Sequence, residues 1–155
     1  MHIVLLNDDA LPEAKGGAAV IVDHLRRGYT EAGHKVTLIT THQDQSHERE
    51  ERRKDSYGDI ISIQVFYPLQ RRHRLCLQNP NVTPLLEKLF DELKPDVVHV
   101  HNVHTYLTYE SLRIARKHTE KVFLTAHDTF LVSFDRIRGA AYEKAALDGN
   151  PFHIP

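Results

Sequence analysis

Residues 2–40 read HIVLLNDDALPEAKGGAAVIVDHLRRGYTEAGHKVTLIT. The opening apolar run, His2–Leu6, is bounded by Asn7, Asp8 and Asp9 and predicts a short buried strand. Beyond a loop containing Pro12, Gly16 and Gly17, apolar residues fall at Val20, Ile21, Leu25, Tyr29 and Ala32, which is the spacing of a helix. Gly33 is placed to end that helix in a left-handed conformation. Residues 35–40, with Val36, Leu38 and Ile39 apolar, predict a second strand. Strand, crossover helix and strand make a βαβ unit, whose two strands run parallel.

The same alternation continues along the chain. Residues 60–67 are β-branched and aromatic and predict a third strand. Residues 96–101 (DVVHVH) predict a fourth and residues 121–126 (KVFLTA) a fifth. Between the third and fourth, Pro84 behind a Thr83 cap opens a helix. Its apolar face is Leu85, Leu86, Leu89, Phe90 and Leu93, and Pro95 stops it. Residues 106–117 give another helix through Leu107, Leu112 and Ala115. Residues 41–58, THQDQSHEREERRKDSYG, offer almost nothing to bury and read as a solvated loop, with a turn or two of helix through 48–53. Beyond His127 the pattern loosens, apart from a helix near 139–147. Alternating strands and helices predict an α/β fold: a doubly wound, Rossmann-like parallel sheet with strand order 3-2-1-4-5, residues 1–155 forming a single domain.

Bulk properties narrow the function classes. The chain has 155 residues, 41% hydrophobic and 26% charged, which suits one globular domain. A formal net charge of −1 gives no basic field for nucleic acid. The one cysteine, Cys76, fits a reducing compartment, and the start turns acidic too early for a signal peptide. No apolar run approaches the roughly 18 residues of a membrane span. A cytoplasmic location is the expectation.

In a doubly wound sheet, ligands bind outside the carboxyl ends of the strands, where the strand order reverses. That edge collects Asn7, Asp8, Asp9, Lys15, Gly16 and Gly17 after the first strand, and His101, Asn102 and His104 after the fourth. His127 and Asp128 follow the fifth strand on the same edge. Paired glycines ahead of a helix let backbone N–H groups approach an anion, and the helix terminus adds positive potential; equally, two glycines can simply turn a loop. The pair is not a full G-x-G-x-x-G, which counts against a nicotinamide or flavin dinucleotide. His101, ending a strand, can donate to a sugar hydroxyl or phosphate, with His99 two residues deeper on the same side as a packed histidine. His127 and Asp128 form either an oriented imidazole–carboxylate pair or a polar strand exit. Arg71, Arg72 and Arg74 either hold an anionic acceptor or membrane headgroup, giving peripheral membrane contact, or form a solvated cluster.

Three stretches carry a family likeness: KGGAAVIVDHLRRGYTEAGHKVTLITT at residues 15–41, KPDVVHVHN at 94–102 and KVFLTAHD at 121–128. They resemble the amino-terminal, acceptor-side domain of retaining family 4 glycosyltransferases of the GT-B fold. The resemblance implies transfer of a sugar from a nucleoside-diphosphate donor to a glycan or other acceptor, without a metal or further cofactor. It implies that Gly16 and Gly17 contact the donor diphosphate, that His101 sits beside the transferred sugar, and that His127 lines the acceptor side. Asp9, Lys15, Asn102, His104 and Asp128 become candidate acceptor or sugar contacts. A second Rossmann domain completes such enzymes, so the 155 residues alone are expected to be inactive, either as a fragment or with a second chain supplying the other half.

Two other readings stand beside this one. HIVLLNDDA is similar to the start of survival-protein-type nucleotidases, metal-dependent phosphatases in which Asp8, Asp9 and Asn102 would supply oxygen ligands. A truncated, non-catalytic Rossmann module is the non-enzymatic alternative.

Overall fold

The computed structural model describes residues 1–14, 16–45, 49–67 and 72–128. The chain divides into two compact units, Met1–Thr125 and Ala126–Pro155. The helix expected near 139–147 lies outside the described residues, as do Lys15 and Arg71.

The first unit is built on one six-stranded sheet. In chain order its elements are β1 (His2–Leu6), α1 (Gly17–Glu31), β2 (Lys35–His42), β3 (Glu50–Asp55), β4 (Gly58–Gln64), the short α2 (Arg72–Leu75), α3 (Thr83–Leu93), β5 (Val97–Val100), α4 (Glu110–His118) and β6 (Val122–Leu124). The sheet order is β3-β4-β2-β1-β5-β6. Its five parallel strands follow the expected 3-2-1-4-5 order. The sixth strand corrects the sequence reading, because residues 50–55 are not a loop or helical turn but an antiparallel partner of β4. An edge strand of sequence EERRKD has no apolar alternation to betray it. Its backbone pairs on one side while its charges face water and protect the edge. Arg52 and Glu50 also reach α3, pairing with Glu92 and Lys88.

Every residue of β1 is buried, as expected of a central parallel strand. Pleat alternation divides its side chains between two cores. Val4 and Leu6 join Ile39, Val98, Leu86 and Phe90 on the face covered by α3 and α4. Leu5 joins Val36, Leu38, Ile60 and Val22 under α1. Burial of a Leu- or Ile-sized side chain contributes about 1.5–3 kcal/mol, so these two layers hold the sheet between the helices.

The buried face of α1 differs from the expected one. Ala19, Val22 and Arg26 point inward, whereas Val20 and Ile21 are 41% and 46% exposed. Arg26 is tolerated inside because its guanidinium meets Asp55 at 2.7 Å and Asp23 at 3.4 Å. That contact ties the helix to the β3–β4 turn, where Thr30 also donates to the Tyr57 carbonyl at 2.9 Å. Thr83 does not cap α3; its hydroxyl bridges to Glu110 on α4 at 2.8 Å. Gly33 has φ +80°, the left-handed helix end anticipated for it.

Gly58 closes the β3–β4 turn with φ +116°, and a Cβ placed there would lie 2.3 Å from the Val36 carbonyl oxygen. Only glycine fits so close to β2. Gly58→Ala should therefore destabilise the chain by on the order of 3 kcal/mol in denaturant unfolding, through left-handed strain plus a backbone clash. An unchanged midpoint would show that this turn does not constrain the sheet.

Candidate functional site

The loops after β1 and β5 meet because these strands are neighbours in the sheet. What joins them is Asp8, which is 3% exposed. Its carboxylate accepts three backbone N–H groups, from Thr105 at 2.7 Å, Tyr106 at 2.9 Å and Leu107 at 2.7 Å. Its own N–H donates to the Asn102 carbonyl at 2.7 Å, and its carbonyl receives the Thr41 N–H at 3.0 Å. The hydroxyls of Thr40 and Thr41 donate to the same carbonyl, at 3.1 and 2.7 Å. Asn7 completes the joint: its Oδ1 accepts the Asn102 N–H at 3.1 Å, and its Nδ2 donates to the Asp9 carbonyl at 2.5 Å.

This arrangement changes the reading of the N-D-D run. Asp8 is a brace across three loop starts, and its oxygens are turned into the 105–107 turn. The expected helix over 106–117 accordingly begins only at Glu110, because residues 105–107 hold their N–H groups toward Asp8. A metal ligand set built on Asp8, Asp9 and Asn102 finds no support, since the Asp8 carboxylate is engaged by backbone N–H groups. Among the described residues no group of three or more His, Cys, Asp or Glu is placed to hold a metal ion. Burial pushes the Asp8 carboxyl up to about 6, against the opposing pull of its three N–H donors. Partial desolvation raises Asp9 as well.

Gly16 and Gly17 stand at the start of α1. Gly16 has φ −92° and ψ 149°, an extended conformation open to any residue, and no side chain caps the helix. Neither glycine has a positive φ, and an added Cβ would meet nothing within 4 Å at either position. Both are exposed. The loop-turning explanation for the pair therefore has no steric basis in the fold.

His99 and His101 share one face of the sheet, with ring centroids 4.2 Å apart. His99 is half-buried and anchored: its Nδ1 lies 3.2 Å from the Tyr29 hydroxyl and its Nε2 2.8 Å from the Thr125 hydroxyl. His101 is 2% exposed and His104 is 7% exposed, while Asn102 is half-buried. His127 and Asp128 belong to the second unit. Within the first unit, the fold brings Asp9, Gly16, Gly17, His101, Asn102 and His104 to the carboxyl edge of the sheet. The Asp8 brace and the Tyr29–His99–Thr125 chain were missed at the sequence level. Alternating polar positions along β5 carried the signal for the second; nothing local signalled the first.

Beside this edge lies a cavity of about 810 Å³. The loop after β1 contributes Asp9, Ala10, Glu13 and Ala14, and the end of β2 contributes Thr40, Thr41 and His42. The β3–β4 edge closes it through Glu51, Arg52, Arg53 and Ser62.

Comparison with known proteins adds a family and a fold. Residues 15–149 match Glycosyltransferase Family 4. The chain is 27% identical over 147 residues to an uncharacterized 42.6 kDa protein in the cps region of Klebsiella pneumoniae, covering 85% of this chain and 38% of that protein. Sucrose-phosphate synthase from Thermosynechococcus elongatus superposes with a TM-score of 0.62 at 15% identity, over 97% of this chain and 39% of the synthase. A trehalose-6-phosphate protein from E. coli bound with UDP-2-fluoro glucose superposes at 0.50 with 14% identity, over 82% of this chain and 33% of that one. The chain thus spans well under half the length of these proteins, and the structural likenesses show the shared fold.

The Asp8 brace is testable by pH. Folding raises its pKa from the ordinary 3.8 to about 6, so the folded protein keeps this proton to higher pH than the unfolded chain. Ionised Asp8 therefore costs stability above about pH 6, and that cost disappears as pH falls through the folded pKa toward 3.8. Relative to Asp8→Asn, the wild type should gain up to about 3 kcal/mol between pH 7 and pH 4. A carboxyl-carbon NMR titration should place the Asp8 midpoint near 6; a midpoint below 4 would mean that the three N–H donors outweigh burial.

Proposed function

The chain belongs to glycosyltransferase family 4, and on that premise we propose that it forms the amino-terminal, acceptor-side half of a retaining transferase. Such an enzyme would move a sugar from a nucleoside-diphosphate donor to an acceptor, in glycan or glycoconjugate synthesis. The observation that carries this reading is the glycine pair. Gly16 and Gly17 sit at an uncapped, exposed helix start where the fold itself demands no glycine. A ligand that must come within hydrogen-bond distance of the backbone explains their presence; the chain's own packing does not.

The chemistry follows from that placement. When the sugar–phosphate bond breaks, negative charge grows on the departing diphosphate. The free N–H groups at the first turn of α1, with roughly half a positive charge from the helix dipole, oppose that charge with little reorganisation. His101 would stand beside the transferred sugar and His127 on the acceptor side, with Asp9, Lys15, Asn102, His104 and Asp128 as further contacts. Because His101 is 2% exposed, its ring reaches a ligand only if the groups packed over it move aside. No cofactor beyond the donor is needed, and a second Rossmann domain, in the same or another chain, would supply the opposite wall. Among the described residues no helix is long and apolar enough to cross a membrane, and we place the enzyme in the cytoplasm.

The 155-residue chain alone should show negligible sugar transfer with a panel of nucleotide sugars, because one wall cannot bury a donor as formed sites do. Turnover by the isolated chain would refute this. Titration with UDP, followed by amide NMR, should shift Gly16 to Ala19 at millimolar concentrations. Gly17→Ala should weaken that binding about tenfold while leaving the melting temperature unchanged or slightly higher, since alanine favours a helix. Shifts confined to other residues would remove the diphosphate from the start of α1.

A further inference from the structure

We propose that Tyr29 and His99 are positioning residues for His101: with Thr125, Tyr29 fixes the ring of His99, and that ring sets the plane of the His101 imidazole. This rests on the transferase reading, in which His101 stands beside the transferred sugar, and adds two residues to that site. His99 pairs in register with Leu5 on one side and Phe123 on the other. It therefore lies on the sheet face where Leu5 packs with Val22, Val36, Leu38 and Ile60. By pleat alternation His101 follows it on the same face of β5. An apolar side chain at position 99 would extend this row and need no hydrogen bond. A half-buried imidazole has lost part of its water and needs protein partners in exchange.

Those partners hold His99 at both ring nitrogens and come from two separate elements. Its Nδ1 lies 3.2 Å from the Tyr29 hydroxyl on α1, and its Nε2 lies 2.8 Å from the Thr125 hydroxyl just beyond β6. Each holder is itself anchored. Tyr29 packs against the core under α1, and its carbonyl accepts the His34 N–H at 3.0 Å. The Thr125 N–H donates to the Val100 carbonyl at 2.9 Å. A half-turn of the His99 ring would put carbon atoms where both hydroxyls meet nitrogen, so one orientation is kept. Phe123 stands nearly perpendicular to this ring, with centroids 6.5 Å apart. The His101 ring lies against it, with centroids 4.2 Å apart and planes inclined at 38°. Turning the His101 imidazole would drive its edge into His99. A polar group beside a reacting sugar is effective only when its direction is held, and neighbouring side chains do the holding. Tyr29 also links this ring pair to the proposed phosphate contact, because the same helix carries Gly17 in its first turn.

The test is imidazole NMR on the 155-residue chain, isotope-labelled at histidine. In the wild type His99 should give a single set of ring-nitrogen signals, and a nuclear Overhauser contact should join the His99 and His101 rings. Tyr29→Phe combined with Thr125→Val removes both hydroxyls and keeps the side-chain shapes. In this double variant the His99 nitrogen signals should average, the contact between the rings should be lost, and the His101 ring signals should broaden or split. Backbone amides of β1 and β5 should stay in place. Thr125→Ser alone, which keeps the hydroxyl, should match the wild type. If the double variant does not fold, Tyr29→Phe alone carries the test, with the same changes in smaller measure. His101 ring signals unchanged beside a His99 ring that has lost its fixed orientation would overturn the inference, as would a wild type without the ring-to-ring contact. The two readings fail separately. Coupled histidine rings without UDP shifts at Gly16 to Ala19 would sink the transferase reading alone. UDP shifts there, with His101 signals indifferent to Tyr29 and Thr125, would sink this inference alone.

Discussion

A buried carboxylate holding three backbone N–H groups fixes the working edge of this protein. Asp8 accepts from Thr105, Tyr106 and Leu107, and its own peptide groups bond to Asn102 and Thr41. One residue thus ties the exits of β1, β2 and β5 together. Leaving such N–H groups buried without an acceptor would cost about 1–3 kcal/mol each. The loops of the candidate site are consequently anchored at their roots.

That anchoring separates two roles within a few residues. Asn7 and Asp8 serve the fold. Asp9 turns toward the cavity, and Gly16 and Gly17 stand at the start of α1 with nothing packed against them. The contrast with Gly58 is informative. There a positive φ and the Val36 carbonyl demand glycine, so its presence says nothing about a ligand. At Gly16 and Gly17 both structural demands are missing, and the proposed contact with a phosphate that approaches the main chain is the alternative.

Much of the fold was legible in the sequence because a parallel sheet buries its strands on both faces and writes them as apolar runs, as in His2–Leu6 and residues 96–101. The βαβ order then fixed the arrangement of five strands. What escaped had no such signature. β3 is an edge strand of charged residues held by backbone pairing, so neither hydrophobicity nor alternation marks it. The buried face of α1 was misassigned because Val20 and Ile21 are apolar yet exposed, whereas Arg26 is buried with its charge paired. At the site, the edge on which residues gather was readable from topology. The division of labour between Asp8 and Asp9 was not, since it depends on a turn almost a hundred residues away.

The most direct measurement is a crystal structure with a nucleoside-diphosphate sugar bound. The account predicts a phosphate oxygen within about 3 Å of the Gly17 amide nitrogen at the start of α1. A diphosphate seated elsewhere, with Gly16 and Gly17 facing only solvent, would contradict it.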